Sequence, residues 1–103
     1  MDIDIIKGQE CIMKLSGRLD TPAASELSDA IAEIIEDNNN IIIDCDELEY
    51  VSSSGLRVLL QTLKSLDSTG GSLRLTNVQP AVQSVLDLTG FSLFLKFEDK
   101  RND

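Results

Sequence analysis

The chain has 103 residues, 42% of them hydrophobic, which suffices for one core and leaves no room for a second domain, so residues 1–103 are read as a single unit. With 3 Phe, 1 Tyr and no Trp, that core must be aliphatic. Nine Lys and Arg against 18 Asp and Glu give a net charge of −9, a surface that repels phosphate backbones and anionic lipid; this excludes direct nucleic-acid and membrane binding and suits a partner with a basic face.

From the N-terminus, Asp2 and Asp4 break up any apolar leader. No apolar run approaches the roughly 20 residues that span a bilayer, so the chain reads as soluble and cytoplasmic. Ile3 and Ile5 alternate with Asp2 and Asp4, and Cys11, Met13 and Leu15 alternate with Ile12 and Lys14. These are two strands joined through a hairpin turn at Lys7-Gly8-Gln9-Glu10.

The next segment predicts a helix over 22–37. Thr21 can cap it, Pro22 suits its first position, and Ala23, Leu27, Ala30, Ile31, Ile34 and Ile35 form one apolar stripe. Asn38-Asn39-Asn40 ends it. Ile41-Ile42-Ile43 is a short β-branched run, expected to be a central strand buried on both faces. Asp44, Asp46 and Glu47 after it read as an exposed acidic turn.

A second helix is predicted over 53–68, with Leu56, Leu59, Leu60, Leu63 and Leu66 inward and Arg57, Gln61, Lys64 and Ser65 outward. Gly70-Gly71 stops it. A strand over 73–76 follows. Pro80 starts a third helix, with Val82, Val85 and Leu86 inside and Gly90 past its end. Leu93, Leu95 and Phe97 alternate with Phe94 and Lys96 in a last strand, and residues 98–103 read as a frayed tail. The order β-β-α-β-α-β-α-β argues an α/β fold with a mixed, mostly parallel sheet behind an opening hairpin.

Cys11 and Cys45 lack metal-ligand spacing, and the chain has no His. They read as small buried hydrophobes in a reducing compartment, with a disulfide or redox pair as the alternative. No metal and no cofactor are expected. An enzyme finds no support: there is no Gly-x-Ser-x-Gly elbow, no phosphate-binding Gly-rich Lys loop and no base to activate a serine. A receiver domain built on Asp44, Asp46 and Glu47 would need more βα units than the chain supplies.

The informative segment is Glu49-Tyr50-Val51-Ser52-Ser53-Ser54-Gly55-Leu56-Arg57-Val58-Leu59-Leu60, between a buried strand and an amphipathic helix. Three hydroxyls stand where the helix exposes unpaired N–H groups, a place that favours negative charge by about 0.3–1 kcal/mol. A phosphate added there is accommodated. Gly55 reads as clearance that lets another protein come close. The plain alternative is that the serines are only helix caps.

A second segment, Leu15-Ser16-Gly17-Arg18-Leu19-Asp20-Thr21, weighs against caps alone. Together with Ile41-Ile42-Ile43-Asp44, Ser53-Ser54-Gly55-Leu56, Gly70-Gly71-Ser72-Leu73, Gln79-Pro80-Ala81-Val82 and Leu88-Thr89-Gly90-Phe91, it resembles the STAS family, specifically the bacterial anti-sigma factor antagonists. The resemblance implies a single STAS domain and a phosphorylation-controlled binding protein, not an enzyme. Its expected partner is an anti-sigma factor that is also a serine kinase, sequestered so that a sigma factor is released. Phosphorylation ends binding, and a phosphatase acting on the phosphoserine restores it. The implied acceptor is Ser53, with Ser54 next should the register slip by one. The residues expected to meet the partner are Asp20, Ser52, Ser54, Gly55, Arg57 and Gln61; Asp20 reads equally as a turn and N-terminal capping residue. The chain departs from the family where an Asp commonly precedes the acceptor: Ser52 stands there. Other readings stay open: a STAS module of another regulatory system, such as a stress-signalling scaffold or transport accessory, or a nucleotide-binding regulatory domain.

Overall fold

The computed structural model describes residues 1–98. Its elements run β1 (Asp2–Lys7), β2 (Cys11–Leu19), α1 (Thr21–Ile34), β3 (Asn40–Val51), α2 (Ser53–Ser68), β4 (Ser72–Thr76), α3 (Pro80–Thr89), a 3₁₀ turn at Phe91–Leu93, and β5 (Lys96–Glu98). The sheet order is β1-β2-β3-β4-β5. β1 is antiparallel to β2, and every later neighbour is parallel. The mixed, mostly parallel α/β sheet read from the sequence is therefore the fold. Because β2, β3 and β4 are parallel and each feeds a helix, α1, α2 and α3 all start at the same end of the sheet.

Register explains where the core lies. Cys11 stands opposite Ile41 and Ile41 opposite Leu73; Met13, Ile43 and Leu75 repeat the row. Side chains alternate along a strand, so these rows share one face. They form one cluster with Leu27, Ile31 and Ile34 of α1, Leu56, Leu59, Leu63 and Leu66 of α2, and Val82 and Leu86 of α3. Burying each such side chain contributes about 1.5–3 kcal/mol. Ile42 faces the other way and is also buried, as a central strand requires.

Several local expectations are corrected. Asp20, not Thr21, caps α1: its carboxylate Oδ1 accepts the Ala23 N–H at 3.1 Å, and Thr21 is the first helical residue. α1 stops at Ile34 rather than at residue 37, and Asn38 Nδ2 donates to the Ile34 carbonyl at 2.8 Å, satisfying one terminal acceptor. Leu60 and Val85 pack at the margin of the core, not inside it. β2 continues four residues past Leu15, through two register shifts, to Leu19.

β3 is the largest correction. It runs on through Asp44, Asp46 and Glu47 to Val51, because β2 continues to pair with it up to Leu19–Val51. Those acids are therefore strand residues, not an acidic turn. Asp44 is only 8% exposed; its Oδ1 accepts from the Asp46 N–H and from Asn77 Nδ2, each at 3.1 Å. Glu47 stays exposed and meets Ser16 Oγ at 3.0 Å and Lys14 Nζ at 3.5 Å across the β2–β3 ladder. β4 pairs only with residues 40–44 of β3; beyond it Gln79 Nε2 donates to the Asp46 carbonyl, and α3 packs against β3.

The last strand is shorter than its alternation predicts. Gly90 takes φ 80°, the left-handed region, and turns the chain into the 3₁₀ segment. Leu93 is consequently 85% exposed and only Leu95 of the expected inner set is buried. Of the frayed tail expected over 98–103, Glu98 ends β5 and the remainder lies outside the described residues.

Both cysteines are free and buried. Cys11 pairs with Ile41 and Lys14 with Asp44, so the Cα atoms of Cys11 and Cys45 sit about four residues apart along neighbouring strands. That is roughly 13 Å, beyond the ~7 Å a disulfide allows. Burial pushes the Cys45 thiol up to about 12, with Asp44 adding to it. This makes a prediction. The folded value lies above the unfolded one of 9.0, so the contribution is fully present below pH 9 and is lost as pH rises toward 12. Between pH 9 and 10, wild type should lose about 1 kcal/mol more unfolding free energy than Cys45→Ala in urea titrations. Parallel pH profiles for the two proteins would show that the thiol is not desolvated.

Candidate functional site at two helix N-termini

β2 and β3 leave the sheet together. Leu19 pairs with Val51, and the Ser52 N–H donates to the Leu19 carbonyl at 2.9 Å. The next residue on each chain caps a helix. Asp20 caps α1, and Ser52 caps α2, its Oγ accepting the Gly55 N–H at 3.1 Å. The two first turns then stand side by side, and Thr21 Oγ1 lies 3.4 Å from Ser54 Oγ. Two helix N-termini, each worth roughly half a positive charge, thus converge on one patch.

The serine run divides into three roles. Ser52 is the cap and half-buried, Ser54 is half-buried against Thr21, and Ser53 is the first residue of α2 and exposed. Ser53 Oγ makes no hydrogen bond with any described residue. The reading of serines as caps therefore accounts for Ser52 and leaves Ser53 without a structural task.

Gly55 is buried, and a Cβ built on it would lie 2.6 Å from Leu19 Cγ and 3.1 Å from the Leu19 carbonyl oxygen. Its missing side chain makes room for β2 of the same chain. The expected clearance for an approaching partner is thereby corrected: the space beside Gly55 is taken by Leu19 of the same chain. Arg57 and Gln61 are exposed and line a shallow depression of about 230 Å³ between α1 and α2, with Thr21, Ser25, Ser54 and Val58. Asp20, Ser52 and Ser54 thus stand at the N-terminal end of the α1–α2 pair, while Arg57 lies one turn and Gln61 two turns further along α2.

Two neighbours were not singled out from sequence as site residues. Thr21 was read as a cap and instead bridges the helices. Arg18 lies over the Tyr50 ring, 4.1 Å from its centroid, bracing the strand ends below the caps. Only the Arg18–Tyr50 register, which no local pattern encodes, brings that pair together.

The model of the STAS domain family matches residues 1–103. The chain belongs to the STAS domain family. Among its STAS relatives is BtrV of Bordetella bronchiseptica, whose name places it with the anti-sigma factor antagonists; it is 32% identical over 88% of this chain and 78% of its own. The anti-sigma-B factor antagonist of Bacillus subtilis is 26% identical over 87% of this chain and 84% of its own. Among solved structures, the unphosphorylated anti-sigma factor antagonist SpoIIAA shares the fold at a TM-score of 0.83, with 23% identity over 98% of this chain and 90% of that one. The phosphorylated form of Bacillus SpoIIAA shares it at 0.75, with 21% identity over 98% and 91%. Among the described residues no helix is long and apolar enough to cross a membrane.

Proposed function

We propose that this STAS domain is a phosphorylation-controlled binding protein, not an enzyme: it sequesters an anti-sigma factor that is also a serine kinase, and so releases a sigma factor. Phosphorylation of Ser53 by that kinase ends the complex, and a phosphatase acting on the phosphoserine restores it. The observation that carries this reading is the division of labour in the serine run. Ser52 holds the cap bond to Gly55, while the Ser53 hydroxyl is exposed at the mouth of two helix dipoles. A phosphoserine brings about −1.5 to −2 charge, and this is a place where such charge is stabilised without rearranging the fold.

The departure at Ser52 fits the same scheme. The position is a helix N-cap, a task at which Ser and Asp are near equivalents, so the turn keeps its shape with either residue. Asp20 contributes by fixing the start of α1 beside the acceptor. Ser52, Ser54, Arg57 and Gln61 supply the surrounding contact surface, and the whole of residues 1–103 is taken as the functional unit. Gly55 takes part only indirectly, by allowing α2 to sit against Leu19.

Incubation with the kinase and ATP followed by peptide mapping should place one phosphate, on Ser53. Modification on Ser54, whose hydroxyl is shared with Thr21, or on Asp44 or Asp46 would overturn the assignment.

A further inference from the structure

Arg57 is the cation that α2 carries one turn after the serine run. It takes no part in the Lys14–Glu47 or Arg74–Glu10 ion pairs. It is exposed on α2, four residues after Ser53 and three after Ser54. On a helix those spacings put side chains on one face, with Cβ atoms about 5–6 Å apart. A helical side chain also leans toward the N-terminus, over the turn before its own Cα. Arg57 is therefore within reach of the turn that carries the serines, and it lines the depression shared with Ser54 and Thr21.

We propose that Arg57 is the phosphate's receptor within the chain. Resting on Ser53 as the acceptor, the inference is that the phosphate, once attached, is gripped by the Arg57 guanidinium one turn along α2. Two parallel N–H···O bonds from the planar fork to the phosphate oxygens close a clasp over the first turn. The clasp has a regulatory consequence. Arg57 is offered to a partner in the unmodified protein and is withdrawn in the modified one, so one phosphate changes two contacts. Of the other charged groups toward this end of the sheet, Arg18 is stacked on Tyr50, Asp20 caps α1, Glu49 is on β3, and the N-terminal residue Met1 and Asp2 stand beside Gly17 and Ser16 of β2.

The test does not need the kinase. Phosphoserine is installed genetically at position 53 of the full chain, and the phosphate is titrated by ³¹P NMR in wild type, Arg57→Gln, Arg57→Lys and Arg18→Gln. The second pKa of a free phosphoserine lies near 6. With the clasp, wild type should titrate about 0.5–1 pH unit below Arg57→Gln, less than a buried pair would give because solvent screens it. Arg57→Lys should keep part of the difference, Arg18→Gln all of it, and 0.5 M salt should shrink it. Equal titration in wild type and Arg57→Gln overturns the clasp, as does a difference that follows Arg18 instead. If the clasp forms but no kinase modifies Ser53, the partner-switching reading fails while this inference stands.

Discussion

Ser53→Asp should bind the proposed partner, an anti-sigma factor that is also a serine kinase, at least about tenfold more weakly than wild type, whereas Ser53→Ala should bind nearly as well and resist release by ATP. The argument is one of desolvation. Ser53 is exposed on the first turn of α2, and a kinase that modifies it must enclose it. A charge placed inside a closed contact has to be stripped of water, and losing such a contact typically costs about 2–4 kcal/mol, or roughly 30- to 1,000-fold in affinity. A single carboxylate copies a phosphate poorly, so its effect should fall at the lower end. Ser53→Ala removes only an exposed hydroxyl and leaves the Ser52 cap intact. Titrations of the three forms against the kinase, with ADP and with ATP, decide the matter. If Ser53→Asp binds like wild type and ATP releases Ser53→Ala, the partner switch does not operate through this serine.

The second large effect is expected at Gly55. Replacing glycine by alanine inside a helix ordinarily stabilises by up to about 1 kcal/mol. Here the new Cβ would fall 2.6 Å from Leu19 Cγ and 3.1 Å from the Leu19 carbonyl. Leu19 is fully buried, and its carbonyl is tied to the Ser52 N–H, so neither can step aside freely. Overpacking costs about 1–3 kcal/mol, which outweighs the gain in propensity. Gly55→Ala should therefore lower the unfolding free energy by about 1–2 kcal/mol, and Gly55→Val by about 3 kcal/mol. Leu19→Val added to Gly55→Val should recover part of the loss, because it vacates the contact. Urea titrations of the four proteins read this directly. A stabilised Gly55→Ala would mean that the first turn of α2 stands away from β2.

The amino-acid sequence determined those parts of the fold that depend on neighbours a few residues apart. α2 spans the predicted residues 53–68, because its leucine stripe and the serines before it are local signals. The opening hairpin and the order of strands and helices are likewise local, as are the exposed Arg57, Gln61, Lys64 and Ser65. Strand lengths are not. Asp44, Asp46 and Glu47 look like an acidic turn on their own, and they belong to β3 because β2 lies alongside to pair with it. The alternation over 93–97 is strand-like, yet the left-handed turn at Gly90 and the short reach of β4 leave β5 only three residues. The site divides in the same way. That a helix begins near three serines is legible from spacing. Which of them caps, which touches α1 and which is free depends on how two parallel strands place their helices side by side. Backbone pairing and the contact between Gly55 and Leu19 act across more than thirty residues, and such separations are closed only by the packed sheet.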